Sequence, residues 1–239
     1  MSRFITPAFL RSPEYAYVMH RHVPDPRNVD PMEAHHISDS YRLRHADLAP
    51  LLGVWRWRGV ARHAEAILRE LEAKPAADRA CPVLDFGGAG GPLGLGSHVV
   101  DLKEQDVNGA PVVFRSLDSV RHFTTGKPVA RCIFTSHALE HIPDLDAVLA
   151  QIANALAPGG LLIAHVPAWT CVRWRAGIHT SPDFAPHVHD FGIEDAAPIP
   201  GLRAYTNIAA RVAASGLAVE LAEYCGDDSI MVMARKASV

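Results

Sequence analysis

Long apolar runs are missing from this chain of 239 residues. No stretch approaches the roughly 18–20 residues that a membrane-crossing helix needs, so no membrane partner is expected. Basic clusters are missing as well. Twenty-three lysines and arginines stand against 26 acidic residues, for a formal net charge of −3, and no positive tract could follow a phosphate backbone. Nucleic acid is not an expected partner. Cysteine is scarce: Cys81, Cys132, Cys171 and Cys225 are scattered, without the paired spacings that hold zinc. They read as reduced packing residues of a cytoplasmic protein. The opening residues MSRFITPAFLRSPEY lack the apolar stretch and cleavage site of a secretory signal, so no export is expected. Internal repeats and low-complexity segments are absent too.

What remains is an ordinary globular composition, 49% hydrophobic and 21% charged, at a length that suits one sizeable α/β domain with a modest extension. Histidine is the exception. Fourteen imidazoles supply many groups able to move protons near neutral pH.

Residues 1–36 carry five prolines and little periodicity and read as an arm laid over the surface. Ser38 or Asp39 could cap a helix carrying Tyr41, Leu43, Leu48 and Leu51. Val60, Ala64, Ile67, Leu68 and Leu71 then return at helical spacing until Lys74 and Pro75. Residues 1–79 are thus expected to form an N-terminal arm and helical cap, and residues 80–239 the main domain. There, short apolar runs alternate with helical stripes, the pattern of a mostly parallel sheet covered on both faces. Strands are expected at 82–86, 98–101, 111–115, 131–136, 160–166, 217–224 and 229–235. Leu145, Val148, Leu149, Ile152 and Leu156 form the stripe of a helix that Asp144 and Asp146 open and Pro158-Gly159-Gly160 ends. Another helix is expected near 204–215. Too few residues separate the last two strands for a helical crossover, so they should form an antiparallel hairpin. Residues 167–203 form a long irregular stretch bearing Trp169, Trp174, His179, His187 and His189, and loops of that length usually serve function.

The segment CPVLDFGGAGGPLGLGSHVVD at 81–101 carries the most information. An apolar run reaches Asp85 and meets a burst of glycine, as a buried strand does when its exit turn must approach a ligand closely. A second short strand ends at Asp101, whose carboxylate matches the two donors of a ribose diol. A nucleoside-bearing cofactor is the ligand this suggests. The glycines do not fit the G-x-G-x-x-G spacing of nicotinamide or flavin domains, and Gly126-Lys127 is followed by Pro128, which excludes a P-loop.

Taken together, VLDFGGAGG, the acid Asp101, SHALEHIPDLDAVLAQIANALAPGG, LLIAHVP and the closing hairpin resemble the class I S-adenosylmethionine-dependent methyltransferases, in their small-molecule, type 11-like branch, over about residues 80–236. The resemblance implies a Rossmann-like methyltransferase fold: a seven-stranded, mostly parallel sheet of order 3-2-1-4-5-7-6, its last strand antiparallel, with helices on both faces. It implies S-adenosyl-L-methionine as cofactor. Asp85, Gly87, Gly88, Ala89 and Gly91 would line its methionine portion, Asp101 with Leu102 would hold the ribose, Asp118 and Ser119 would sit near the adenine, and Ser136 would contact the methionine amino group. Three departures stand out. Ala89 replaces a family glycine; Pro92, Gly94 and Gly96 leave no room for the usual helix before Asp101; and Arg131 stands where an acid is common. A donor without phosphates depends least on that helix.

The function implied is methyl transfer to a small polar metabolite, at oxygen or nitrogen, such as a sugar or glycoconjugate. The alternative is a catalytically inactive module that binds the cofactor or a partner on the same fold. A hydroxyl acceptor needs a base, and His137 and His189 are the candidates. Glu140 and His141 read as a structural tie between strand four and its helix. His179, His187, His189 and Asp190 offer metal-ligand types, but their spacing matches no strong signature, and no metal is expected. Trp169 and Trp174 could wall the acceptor pocket.

Overall fold

The computed structural model describes residues 83–90, 97–106, 109–112, 114–123, 130–170, 186–200, 202, 204–225 and 229–238. The expected N-terminal arm and cap, Gly91, Trp174 and His179 lie outside them. The elements are β1 (Val83–Phe86), β2 (Ser97–Val100), α1 (Leu117–Phe123), β3 (Ala130–Ser136), α2 (Leu145–Ala155), β4 (Leu156–Pro167), β5 (Asp190–Gly192), β6 (Tyr205–Asn207), α3 (Ile208–Ala214), β7 (Leu217–Tyr224) and β8 (Ser229–Lys236). Single 3-10 turns follow β1 at Gly88–Gly90 and β3 at Leu139–His141.

The main sheet has six strands in the order β2-β1-β3-β4-β8-β7. Strands β1 to β4 pair in parallel, while β8 runs antiparallel to both β4 and β7. This is the Rossmann-like methyltransferase order with one correction. The strand expected at 111–115 is reduced to isolated bridges, Val100 with Phe114 and Gln105 with Pro111. Glycine, proline and exposed residues around 109–111 leave too little apolar surface there for a full edge strand. A second departure is a two-stranded parallel sheet of β5, inside the stretch expected to be irregular, and β6, which takes the first turn of the helix expected near 204–215 so that α3 begins only at Ile208.

The core follows from strand alternation. Leu84, Ile133, Leu162 and Ala164 on one face join Leu145, Leu149 and Ile152 of α2, Ile208 and Val212 of α3, and Leu117 and Val120 of α1 in one buried cluster. On the other face Val83, Cys132, Phe134, Leu161 and Ile163 are buried too, so neither face of the sheet is open to solvent, as parallel strands require. Helix α2 begins where expected. Asp144 caps it by accepting a hydrogen bond from the Ala147 amide at 3.1 Å, and it ends as Leu156 turns to extended backbone before Pro158.

Two constraints fix the carboxyl edge of the sheet. Phe86 is in register with Thr135, so the chain leaves β1 and β3 at the same level and the two exits meet. Gly87 has φ +74°, and a Cβ there would overlap the Cβ of Ala138. Further along, Trp169 donates its indole N–H to the Tyr224 hydroxyl at 2.9 Å. Tyr224 in turn donates to Glu194 at 2.7–2.8 Å, and Tyr205 lies 2.9 Å from the same carboxylate. This network ties the β5–β6 sheet to the ends of β4 and β7. Burial acts to raise the Glu194 pKa, but the hydroxyls of Tyr224 and Tyr205 and nearby amides outweigh it and hold the carboxyl below its ordinary value. Burial, then the Glu194 carboxylate, pushes the Tyr224 hydroxyl up to about 12.

Gly87→Ala is expected to cost about 1–3 kcal/mol in urea denaturation, combining a left-handed backbone with the Ala138 overlap. The tyrosine network gives a pH signature. A depressed carboxyl contributes stability above its unfolded pKa of 4.5 and loses it as pH falls; a raised phenol contributes below its unfolded value of 10.0 and loses it as pH rises toward 12. Tyr224→Phe should therefore lower stability by about 1 kcal/mol at neutral pH and flatten the loss above pH 10 seen in the parent protein, measured as urea midpoints across that range.

Candidate active site

The exits of β1 and β2 build the first wall. After β1 the Gly87 amide donates to the Val100 carbonyl at 2.8 Å, which holds the turn against β2. A Cβ on Gly88 would overlap the carboxylate of Asp85, a fully buried side chain lying beneath the turn. Ala89 is also fully buried, and its amide donates to Asp101 Oδ2 at 3.0 Å, while the Lys103 amide donates to Asp101 Oδ1 at 3.0 Å. Asp101 thus pins the glycine turn to the chain leaving β2. Beside it Leu102 is 80% exposed, a large apolar side chain presented to solvent. Asp118 is exposed in the first turn of α1, and Ser119 is engaged with Ser116, through its amide at 3.1 Å and its hydroxyl at 2.9 Å.

The exit of β3 builds the second wall. Ser136 is buried in the sheet, in register with His165 of β4, and its hydroxyl lies 3.1 Å from His165 Nδ1. The next residue, His137, has φ +50°, the one non-glycine in the left-handed region among the described residues. That conformation is strained for a histidine by about 1 kcal/mol. It is held by the His137 amide donating to the His165 carbonyl at 2.9 Å and by edge-on contact of the two rings, 5.0 Å apart. His137 Nδ1 lies 3.5 Å from Glu140 Oε1, while its Nε2 is buried without a hydrogen-bond partner.

Glu140 is fully buried, and neither of its oxygens has a hydrogen bond of ordinary geometry. Three imidazoles surround Oε1: His137 Nδ1 at 3.5 Å, His141 Nε2 at 3.8 Å and His187 Nε2 at 3.9 Å. Burial acts to raise the Glu140 pKa, but the approach of His137 and then the charges on His137, His141 and His187 outweigh it and hold the carboxyl below its ordinary value. His187 arrives here because the Val188 amide donates to the Glu140 carbonyl at 2.8 Å, which docks the segment leading to β5 against the β3 exit.

His189 is in the same segment but not in the cluster. Its Nε2 lies 2.9 Å from the Ile142 carbonyl and its Nδ1 3.1 Å from the Thr206 hydroxyl, with the ring stacked on Phe191 at 5.3 Å. Both ring nitrogens are occupied by the fold, so His189 is an anchor of the segment. Trp169 is likewise engaged, its indole N–H on Tyr224.

The residues that sequence reasoning set aside are therefore Glu140, His141 and His165. The signal present for the first two was a carboxylate followed directly by histidine at a strand exit. What the sequence could not supply was His187, 46 positions further on, which turns that pair into a cluster.

A family profile described as a methyltransferase domain matches residues 54–189, more than half of the chain and the whole of both walls. No curated protein sequence matches the chain. Among solved structures, it is similar to an S-adenosylmethionine-dependent methyltransferase from Mesorhizobium loti, at 15% identity over 72% of this chain and 98% of that one, with a TM-score of 0.45. It is also similar to the Burkholderia thailandensis 1,6-didemethyltoxoflavin-N1-methyltransferase with bound S-adenosylhomocysteine, at 17% identity over 87% of this chain and 91% of that one, with a TM-score of 0.47. On the family match over these walls, the chain belongs to the methyltransferase-domain family.

Proposed function

We propose that this enzyme methylates a small polar metabolite at oxygen or nitrogen, a sugar or glycoconjugate being the acceptor class that its polar, histidine-bearing segment suits. The observation that carries the reading is the junction of Ala89 and Asp101 at 3.0 Å. Each Asp101 oxygen accepts one backbone amide and keeps a second lone-pair site. The carboxylate can therefore hold a ribose diol while its position is fixed. Leu102, exposed next to it, offers the apolar face that a purine would cover. Gly87 and Gly88 leave backbone without side chains above Asp85, which suits the methionine portion; Ser136, Asp118 and Ser119 remain candidate contacts that the family resemblance suggests, Ser136 being buried on His165 and Ser119 held by Ser116.

S-adenosylmethionine supplies a methyl carbon already activated by its sulfonium leaving group. What the chain must do is align the acceptor, exclude water and remove a proton where the acceptor is a hydroxyl. His137 has the arrangement of a base. Its Nδ1 faces the anionic Glu140, which favours the proton on that nitrogen and leaves the Nε2 lone pair for the acceptor. Its left-handed backbone holds the ring at the sheet edge, beside the turn that Gly87 makes. Buried cysteines at Cys132 and Cys225, neither in a disulfide, fit a reducing, cytoplasmic setting.

Calorimetric titration with S-adenosylhomocysteine tests the cofactor half. Binding should be saturable, and Asp101→Ala should weaken it at least tenfold, about 1.4 kcal/mol. Absence of binding to folded protein at millimolar ligand would overturn the reading. For the base, His137→Ala should lower kcat on a hydroxyl acceptor by about 10²–10⁴ and leave donor affinity unchanged; donor binding without turnover on any polyhydroxylated acceptor would instead favour the inactive binding module.

A further inference from the structure

We infer that Glu140, His141 and His187 form a binding site for one divalent transition-metal ion, with a two-histidine, one-carboxylate donor set. This does not rest on the proposed acceptor or on His137 as a base. The ligand atoms of these three residues lie within 4.8 Å of one another, and the two nitrogen-to-oxygen separations are 3.8 and 3.9 Å. Those distances are too long for an N–H to carboxylate hydrogen bond, which would close to about 2.8 Å. They are close to the spacing of donors around a shared ion: bonds of about 2.0–2.1 Å to a tetrahedral zinc ion hold the donors about 3.3 Å apart. A contraction of about half an ångström at each nitrogen–oxygen pair, and of up to about 1.5 Å between the two imidazole nitrogens, completes the set.

The electrostatics agree with the geometry. Glu140 is fully buried, and neither oxygen has a conventional hydrogen bond. A carboxylate buried in that state is costly unless a cation meets it. No lysine or arginine pairs with it among the described residues; histidines alone do. The His141 ring is also set for metal binding from its far side. Its Nδ1 lies 3.4 Å from the Pro186 carbonyl, and with the proton on that nitrogen the Nε2 lone pair is turned toward Glu140. A dication seated among the three would be coordinated by both imidazole nitrogens and the carboxylate oxygen.

Site access and donor chemistry narrow the ion. His141 is partly exposed, at 24% of its side chain, whereas His187 is 3% exposed, so the cluster is reached from one side. Two imidazoles with one carboxylate suit zinc, iron(II), manganese or cobalt rather than magnesium or calcium. Three protein donors leave at least one position for water or an oxygen-bearing ligand, as in reactive rather than purely structural sites. The sequence suggested no metal because His187 was weighed with His179, His189 and Asp190. Of these, His189 is held by Ile142 and Thr206, and the donors that converge on His187 come from the β3 exit instead.

The test uses the full chain without an affinity tag, stripped with chelator and titrated with zinc and, as a spectroscopic probe, with cobalt(II). The expected result is one equivalent bound, visible cobalt bands from mixed nitrogen and oxygen coordination, and at least about a 100-fold loss of affinity in His141→Ala and in His187→Ala. Each variant is checked by circular dichroism and by S-adenosylhomocysteine titration. As a measurement on the parent protein alone, zinc should slow diethylpyrocarbonate modification of His141, read by peptide mapping. The site is refuted by no saturable binding at millimolar zinc, by variants that bind as the parent does, or by unprotected His141. Metal binding without S-adenosylhomocysteine binding would count against the donor site alone, and the reverse against the metal site alone.

Discussion

The structure depends on the shared height at which β1 and β3 release the chain. Parallel pairing of Phe86 with Thr135 brings both exits to one level, and only a glycine at 87 lets them touch, since any side chain would meet Ala138. Everything chemical follows from that contact. On one side the chain turns back to β2 and is pinned by Asp101; on the other it must turn sharply enough that His137 adopts a left-handed backbone. The strain at His137 is offset by its bonds to β4 and its approach to Glu140, so the ring is set by the sheet and not by the loop that follows.

A second theme is where charge is buried. Asp85, Glu140 and Asp190 are all in the interior, at 0%, 0% and 6% exposure. Asp85 lies against Gly88, inside the turn it supports. Glu140 is different, since its neighbours stand at separations that satisfy no hydrogen bond. Replacing such a buried anion by an apolar residue of similar volume is often neutral or stabilising, so Glu140 is a cost the fold carries against its three imidazoles. The two carboxylates differ in what surrounds them, one lying under backbone and the other among imidazoles.

Much of this could be read along the chain. The apolar alternation gave β1, β3, β7 and β8 within a residue or so, Asp144 marked the start of α2, and the short gap at 225–229 required the hairpin. Those features are local: a cap, a period or a loop length decides them. The third strand failed because the bridges at Pro111 and Phe114 sit among glycine, proline and exposed residues, with too little apolar surface to carry the pairing of a full edge strand. β5 and β6 are three residues each, too short for any period to register, and they form because Trp169 and Phe191 join them to the end of β4. The glycine turn and Asp101 were visible as a pair. The cluster around Glu140 was half visible, its missing member being placed by the amide of Val188 on the Glu140 carbonyl, a contact between residues 48 apart in the chain.

That same contact explains why the two histidines of one segment differ. Alternate residues of an extended chain face opposite ways, but His187 and His189 are two apart and so begin on the same side. The segment separates them by its docking: Val188 hydrogen-bonds to the 3-10 turn, which delivers His187 beside Glu140, whereas His189 is already over Ile142 and the start of β5, between a carbonyl and the Thr206 hydroxyl. One ring is left with a nitrogen facing an anion that has no hydrogen bond, and the other has none to spare. The β3 exit therefore gathers His137, Glu140 and His141, while the long segment brings His187 to them and spends its other histidine on holding itself in place.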